Sequence, residues 1–427
     1  MDEIKKWTLY LVFLVAGFAT GVGSIALFPQ FWLQYGITGL AVHLVFLAVL
    51  TYVAILEAEV VMKSGYHFVE LYTKAANRPA MILSIFAVIA MFLSYYTSNT
   101  MLSILGPVLG TGTVARLVAK ILMFALVFLI LTRAKERTFT IMALGSVFFF
   151  VAILVTAVAF KTQIPENATF LGMAKHMLVA RQGITLAMVR AAAERAIYGV
   201  GLGMAFYLML GSFINERFNA KVIIGTGVLV QLLIGVMSTI VVVYGLAPTS
   251  PERLLTYVYG GEEAALQLLG DLPDILADYQ SLLVLIAISG FLAGLTSLLP
   301  TAEVGLQIIE PIMGISRTKA ATYLVGISLL IGIFDSPPTI ADMVLKAVVA
   351  ATFFTPIFEL YPVVREKLSA PAMVAVGVAA LVFVVGGLYA FFGVFKAGGV
   401  YIVSGILAAL IILFGLIGDS LMPQSST

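Results

Sequence analysis

The sequence has no cysteine and only three histidines and two tryptophans in 427 residues. Without cysteine there is no disulfide, no thiolate metal site and no thiol nucleophile. His43, His67 and His176 are scattered and lack metal-ligand spacing. No HExxH or Gly-x-Ser-x-Gly motif is present, which leaves an intramembrane enzyme with little support. Charge is scarce: 11% of residues are Asp, Glu, Lys or Arg, against about 25% in soluble proteins. The net charge of +2 is too small to point to a nucleic-acid partner.

What is abundant is apolar side chain, at 61% of residues with a mean hydropathy of +1.09. No soluble fold of this size has interior enough to hide it, so the lipid bilayer is its solvent. A membrane β-barrel alternates apolar and polar residues, whereas these runs are continuous. The chain therefore reads as an all-α integral membrane protein. The first run, from Thr8, is read as a spanning helix and not as a cleaved signal.

At ~20 residues per span, twelve helices are expected, at about 8–33, 38–62, 80–108, 114–132, 138–160, 187–212, 221–246, 281–312, 320–335, 342–362, 370–392 and 400–418. Lys and Arg recur in alternate short loops, as at Lys63, Lys74 and Arg78, at Arg133, Lys135 and Arg137, and at Arg317 and Lys319. The positive-inside tendency then puts both termini in the cytoplasm of a multi-pass cell-membrane protein. Residues 1–427 are read as one domain, with repeats at about 8–160 and 187–362 followed by two helices at about 370–418. Oligomeric state is left open.

Two helices carry clustered glycine. Helix 1 holds Gly17, Gly21 and Gly23; helix 6 holds Gly199, Gly201 and Gly203. Each glycine weakens a helix by about 1 kcal/mol relative to alanine, so local unwinding is one reading and close helix packing is the other. The clusters lie five helices apart, in helices of opposite direction. Matched interruptions in a five-plus-five inverted repeat point to a transporter binding site. Helix 8 adds Ala293-Gly-Leu-Thr-Ser297. Its hydroxyls can bond back one turn or serve as hard ligands to a small cation.

The run AGFATGVGSIALFPQ in helix 1, Tyr95-Tyr96 in helix 3, AGLTS in helix 8 and Glu57 in helix 2 together resemble the neurotransmitter:sodium symporters, in particular their prokaryotic amino-acid transporters. The resemblance implies helices 1 and 6 unwound at mid-membrane. It implies one Na⁺ held by the carbonyls of Gly17, Thr20 and Ala293 and the hydroxyls of Thr296 and Ser297. The substrate would lie beside it: a carboxylate on the amides of Val22 and Gly23 with Tyr96, and an amino group on carbonyls near Ala19 and Ile197. Phe18, Gly199, Leu202, Ser297 and Thr301 would complete the pocket. Glu57 is implied to prop the broken part of helix 6. Gly21 stands where the family's amine carriers have aspartate, which implies an amino acid, neutral and hydrophobic, as the small-molecule substrate.

The sequence also departs from the family. Residues of a second Na⁺ site are missing: Ser24 and Ile197 take the helix 1 and helix 6 places, and helix 7 has no Asn. Leu27 replaces the outer-gate arginine, although Asp342 survives and has Lys346 one turn on. Ala196 replaces the aromatic lid, and Phe18 stands where Asn is usual. At the inner end Lys5 or Lys6 is expected to meet Glu310 as a gate. Glu57, Glu59, Glu194 and Glu303 are acids in or near apolar runs, functional by default, and of these Glu194 or Glu303 could carry a proton instead of the second Na⁺. The expected function is Na⁺-coupled amino-acid symport by alternating access. The alternatives are the same fold with another solute or with proton drive, and a membrane sensor that transports nothing.

Overall fold

The computed structural model describes residues 3–165 and 168–420, leaving aside the side chains of 22–24, 107, 168, 262, 263, 266, 267, 269 and 270. Among the described residues the chain is helical without strands. Ten helices among the described residues are long and apolar enough to cross a membrane, so this is a multi-pass membrane protein.

Helix α1 (Glu3–Ala19) stops at Thr20 and Gly21, and α2 (Val22–Ser64) starts beyond them. The expected helix 1 is thus two pieces, the second continuous with expected helix 2. What divides α2 is Gly36, at φ 61° and ψ −156°. That left-handed φ favours glycine, and a Cβ there would sit 2.2 Å from the Ala180 carbonyl oxygen. The freed Ile37 amide donates to the same Ala180 oxygen at 3.1 Å.

A short loop follows with α3 (Phe68–Glu70) and a π-helical turn at Leu71–Ala75. Then come α4 (Pro79–Leu109), α5 (Thr113–Leu131) and α6 (Lys135–Gln163). The stretch between expected helices 5 and 6 contains α7 (Ala168–Val179). Expected helix 6 is again two pieces, α8 (Leu186–Val200) and α9 (Phe206–Phe213). Helix α10 (Ala220–Thr249) leads to a second connection built from α11 (Pro251–Tyr259) and α12 (Gly261–Ile275). The remainder is α13 (Gln280–Met313), α14 (Arg317–Phe334), α15 (Pro338–Thr352), α16 (Thr355–Val364), α17 (Ala370–Ala397) and α18 (Tyr401–Ile417). The division of α15 from α16 at Phe353–Phe354 is not anticipated by the expected span 342–362.

Helix α1 lies among α6, α10 and α13, and α2 among α8, α9 and α10. Buried Leu11, Val15, Phe18, Leu50, Tyr207 and Leu298 join these helices in one core. In lipid such a core is held by close packing and polar contacts more than by transfer from water. The bulky exposed residues, such as Phe148, Leu381 and Phe392, suit a surface that faces hydrocarbon.

Candidate functional site

The first break lies against α13. At the end of α1, Thr20 turns its hydroxyl back to the Ala16 carbonyl at 2.6 Å, and its amide donates to the Gly17 carbonyl at 3.2 Å. The Ser297 hydroxyl of α13 reaches the carbonyls of Gly17 at 3.3 Å and Phe18 at 3.2 Å. Thr296 points its hydroxyl to the Ala293 carbonyl at 3.1 Å. Gly17 allows this approach, because a Cβ on it would come 3.0 Å from the Thr296 Cβ and 2.0 Å from the Ser146 hydroxyl. Ser297 thus joins α13 to the last turn of α1, with Thr296 packed beside Gly17.

Tyr96 of α4 closes the same region. A Cβ on Gly21 would fall 2.6 Å from the Tyr96 hydroxyl and 3.5 Å from that of Ser297. Phe92 stacks on the Tyr96 ring at 4.6 Å. Thr301 is buried and donates to the Ser297 carbonyl at 2.8 Å. Val22 and Gly23 open the first turn of α2; their side-chain surroundings lie outside the described residues. Ala19 is buried.

The second break spans 201–205. The Ile197 carbonyl, expected to meet a substrate amine, accepts the amides of Gly201 at 2.8 Å and Leu202 at 3.3 Å. It caps α8 in this arrangement. Gly201 at φ 82°, Gly203 at φ 103° and Ala205 at φ 54° are all left-handed, and for alanine this costs about 1–2 kcal/mol. The Phe18 ring covers Gly201, whose added Cβ would lie 2.6 Å from it. Phe18 also stacks on Phe206 with centroids 3.9 Å apart. One aromatic side chain of α1 therefore spans the space between the two breaks. Gly199 faces Leu47 and Gln231, and Leu202 is buried.

The support of the second break differs from expectation. Glu359 of α16 accepts the Gly203 amide at 2.8 Å and also the Ala205 amide. Thr355 donates to the Gly203 carbonyl at 2.8 Å. Glu57 makes none of these bonds; both its carboxyl oxygens are buried without a hydrogen-bond partner, within electrostatic reach of Glu359. The Thr355–Pro356 start of α16 carries Glu359 to the exposed amides, a place Glu57 on α2 does not reach. An acid in the apolar run ATFFTPIFELYP was the signal for it.

The gate residues also pair differently. Asp342 accepts from the Tyr401 hydroxyl at 2.6 Å and lies 3.6 Å from Lys346. Lys6 lies over the Tyr10 ring at 5.5 Å, and among the described residues no ion pair joins it to Glu310. The inner network forms around Glu303 instead. Arg317 binds its carboxylate through two nitrogens at 2.9 and 2.6 Å, and Gln307 donates to it at 2.7 Å. The Gln307 oxygen accepts from Lys135 at 2.9 Å and lies 3.3 Å from His67 Nε2. Burial holds the His67 imidazole below its ordinary value, against the opposing pull of the Gln307 bond. Away from both breaks, buried Lys120 pairs with buried Asp335, which also accepts from Ser94 at 2.8 Å.

Long membrane helices, two of them interrupted where they pack together, are the mark of this fold. The chain has the fold of the neurotransmitter:sodium symporters. Among the solved structures it is similar to is the crystal structure of MhsT in complex with L-phenylalanine, at a TM-score of 0.60 and 16% identity over 95% of this chain and 98% of that one. At that identity the likeness is one of fold. No family model matches the sequence, and no curated protein matches it.

Proposed function

We propose that this protein is a sodium-coupled symporter of a small neutral amino acid with an apolar side chain, working by alternating access. The observation that carries the reading is the reach of Ser297 from α13 to the Gly17 and Phe18 carbonyls where α1 breaks. Gly17, Thr20 and Ala293 carbonyls with the Thr296 and Ser297 hydroxyls form a hard, uncharged donor set suited to Na⁺ as a co-transported ion. Sodium bound there would tie α1 to α13 and favour one arrangement of the two; its departure would free α1.

On this reading the chain crosses the membrane twelve times. Helix α1 with α2 up to Gly36 forms the first span, α8 with α9 the sixth, and α15 with α16 the tenth. Spans one to five and six to ten are inverted repeats, the breaks lie at mid-membrane, and both termini are cytoplasmic. The substrate carboxylate meets the Val22 and Gly23 amides, at the positive end of a helix, together with Tyr96. Phe18, Ile197, Gly199, Leu202, Ser297 and Thr301 bound its side chain. MhsT was crystallised with L-phenylalanine, which supports an amino acid here. One sodium site fits the residues better than two.

Uptake of L-leucine, L-phenylalanine and glycine into proteoliposomes, with and without a Na⁺ gradient, tests this. Uptake that needs the gradient supports the reading, and amino-acid uptake indifferent to Na⁺ overturns the coupling. A second reading, proton drive, is favoured by one observation, the unpartnered buried carboxyl of Glu57 beside Glu359. It predicts uptake that follows a pH gradient and is lost in Glu57→Gln.

A further inference from the structure

The first turns of α2 beyond the break are held by the corner between α11 and α12. Gln30 donates through Nε2 to the carbonyls of Tyr257 and Gly261, each at 2.6 Å, which engages both hydrogens of its amide. Tyr257 returns a bond, its hydroxyl donating to the Ala26 carbonyl. Ala26 and Gln30 stand one helical turn apart, so the three bonds clamp a single face of α2.

The clamp is built into the fold. Tyr257 lies in the last turn of α11, where a carbonyl finds no amide of its own helix to accept, and Gln30 supplies the donor. Gly261, at a left-handed φ of 77°, turns the chain into α12 and brings the second carbonyl to the same amide. Ala26, Gln30 and Tyr257 are buried, and Ala26 packs in one cluster with Val258 and Ala265 of the hairpin. Gln30 and Gly261 also border a cavity of about 750 Å³ between α2, α8, α15 and α17. Arg190, Glu194, Arg195 and Lys346 line its polar part, and it reaches Ile197 near the second break.

The charges expected at an outer closure are not in this one: Leu27 carries none, and Asp342 is taken by Tyr401 and Lys346. On the transport reading above, which this inference takes as given, the cavity is the way from water to the breaks. We propose that Gln30 and Tyr257 are the outer gate on that way, a neutral clamp whose release lets the α11–α12 hairpin and the first turns of α2 part. The groups it frees meet water in the opened space and regain their bonds there, so the clamp is weak enough to open in each cycle.

The chain has no cysteine, so one introduced thiol reports one position. Two reporters in the full-length protein test the gate by their rate of maleimide labelling in detergent, without substrate. Ala26→Cys lies under the hairpin, and Val15→Cys lies in α1 against Gly227 of α10, on the other side of the first break. Gln30→Leu is expected to speed labelling of Ala26→Cys roughly tenfold, for the loss of two neutral hydrogen bonds. Tyr257→Phe, which keeps the ring and the carbonyl, should speed it by less. Neither should speed labelling of Val15→Cys, because a gate that opens outward leaves that helix packed. Unchanged labelling of Ala26→Cys in both variants overturns the proposal. So does equal speeding at the two reporters, which is a general loosening. A clamped-form rate that rises with choline chloride, which screens ion pairs, assigns the closure to charges and overturns it as well. No amino acid enters this measurement, so a failure of amino-acid uptake counts against the cargo and leaves the clamp to be judged by these rates.

Discussion

Glu359 accepts the Gly203 amide at 2.8 Å, so an acid on α16 holds the backbone of the α8–α9 break from 156 residues away. Lipid offers a freed amide no partner, and the same carboxylate also takes the Ala205 amide. Glu359→Ala leaves two buried N–H groups without acceptors, at about 1–3 kcal/mol each. A thermal melt in detergent should show a drop of several degrees, with a smaller drop for Glu359→Gln, which keeps one acceptor. An unchanged melt for the alanine variant would mean that the break is held by other contacts.

The oxygens at Gly17, Ala293, Thr296 and Ser297 make a prediction about ion dependence. If they bind Na⁺, wild-type protein should melt higher in NaCl than in KCl, since a ligand of the folded state stabilises by mass action. Thr296→Ala with Ser297→Ala should abolish the difference between the two salts while the melt in KCl stays close to that of wild type. A sodium shift that survives the double substitution places the ion elsewhere.

Much of this arrangement is legible in the sequence, and the reasons differ by element. Continuous apolar runs mark the spans, and glycine clusters mark the breaks after α1 and α8, because helix weakening is a local property of the chain. The α15–α16 break has no glycine; its sign is Pro356 in the first turn of α16, a position where proline starts helices. Partners across the fold are not local. Glu57 and Glu359 are both acids in apolar runs, and only the packing of α16 against α2 and α17 shows which one meets the amides. Lys120 and Asp335 are hidden for the same reason: a lysine seven residues into α5 reads as a flaw until the end of α14 is brought to it.

That buried pair carries its own prediction. Both residues are 0% exposed, and Lys120 also donates to the Gly332 carbonyl at 3.2 Å. Removing one partner of a buried pair strands the other, typically at about 3–5 kcal/mol. Lys120→Met should lower the melting temperature strongly, and adding Asp335→Leu should recover most of the loss. If the double variant melts below both singles, the pair contributes net stability of its own.

Gly21 and Tyr96 allow a test by shape. A Cβ at Gly21 would sit 2.6 Å from the Tyr96 hydroxyl, so Gly21→Ala must displace the phenol. Amino-acid binding, read by scintillation proximity with labelled L-leucine, should weaken at least tenfold if both groups bound the substrate. Tyr96→Phe in the alanine background makes room but removes the donor, and is expected to leave affinity low. Recovery of full affinity in that double variant would show that the tyrosine acts by bulk alone and donates nothing to the substrate.

The inner network should make stability depend on pH through His67. Its imidazole accepts the Val69 amide at 3.4 Å through Nδ1 and faces Gln307, with Lys135 on the same Gln307 oxygen and Glu70 on the His67 amide. Burial holds it below its ordinary value, so between the two values the folded protein binds fewer protons than the unfolded chain. Stability then falls as pH drops below about 6.5 and levels off once the folded value is passed. Protonation would also remove the Nδ1 acceptor and set a second cation beside Lys135. Glu70, held below its own ordinary value by Lys74 and the His67 amide, adds a loss of the same sign, starting lower, as pH falls through the carboxylate range. Melts across pH 5.5 to 7.5, a window chosen around the free-histidine value of about 6.5, should therefore slope downward toward acid. His67→Gln should flatten that slope and leave the carboxylate region unchanged. A slope that persists in the variant assigns the dependence to other groups and frees His67 of the role.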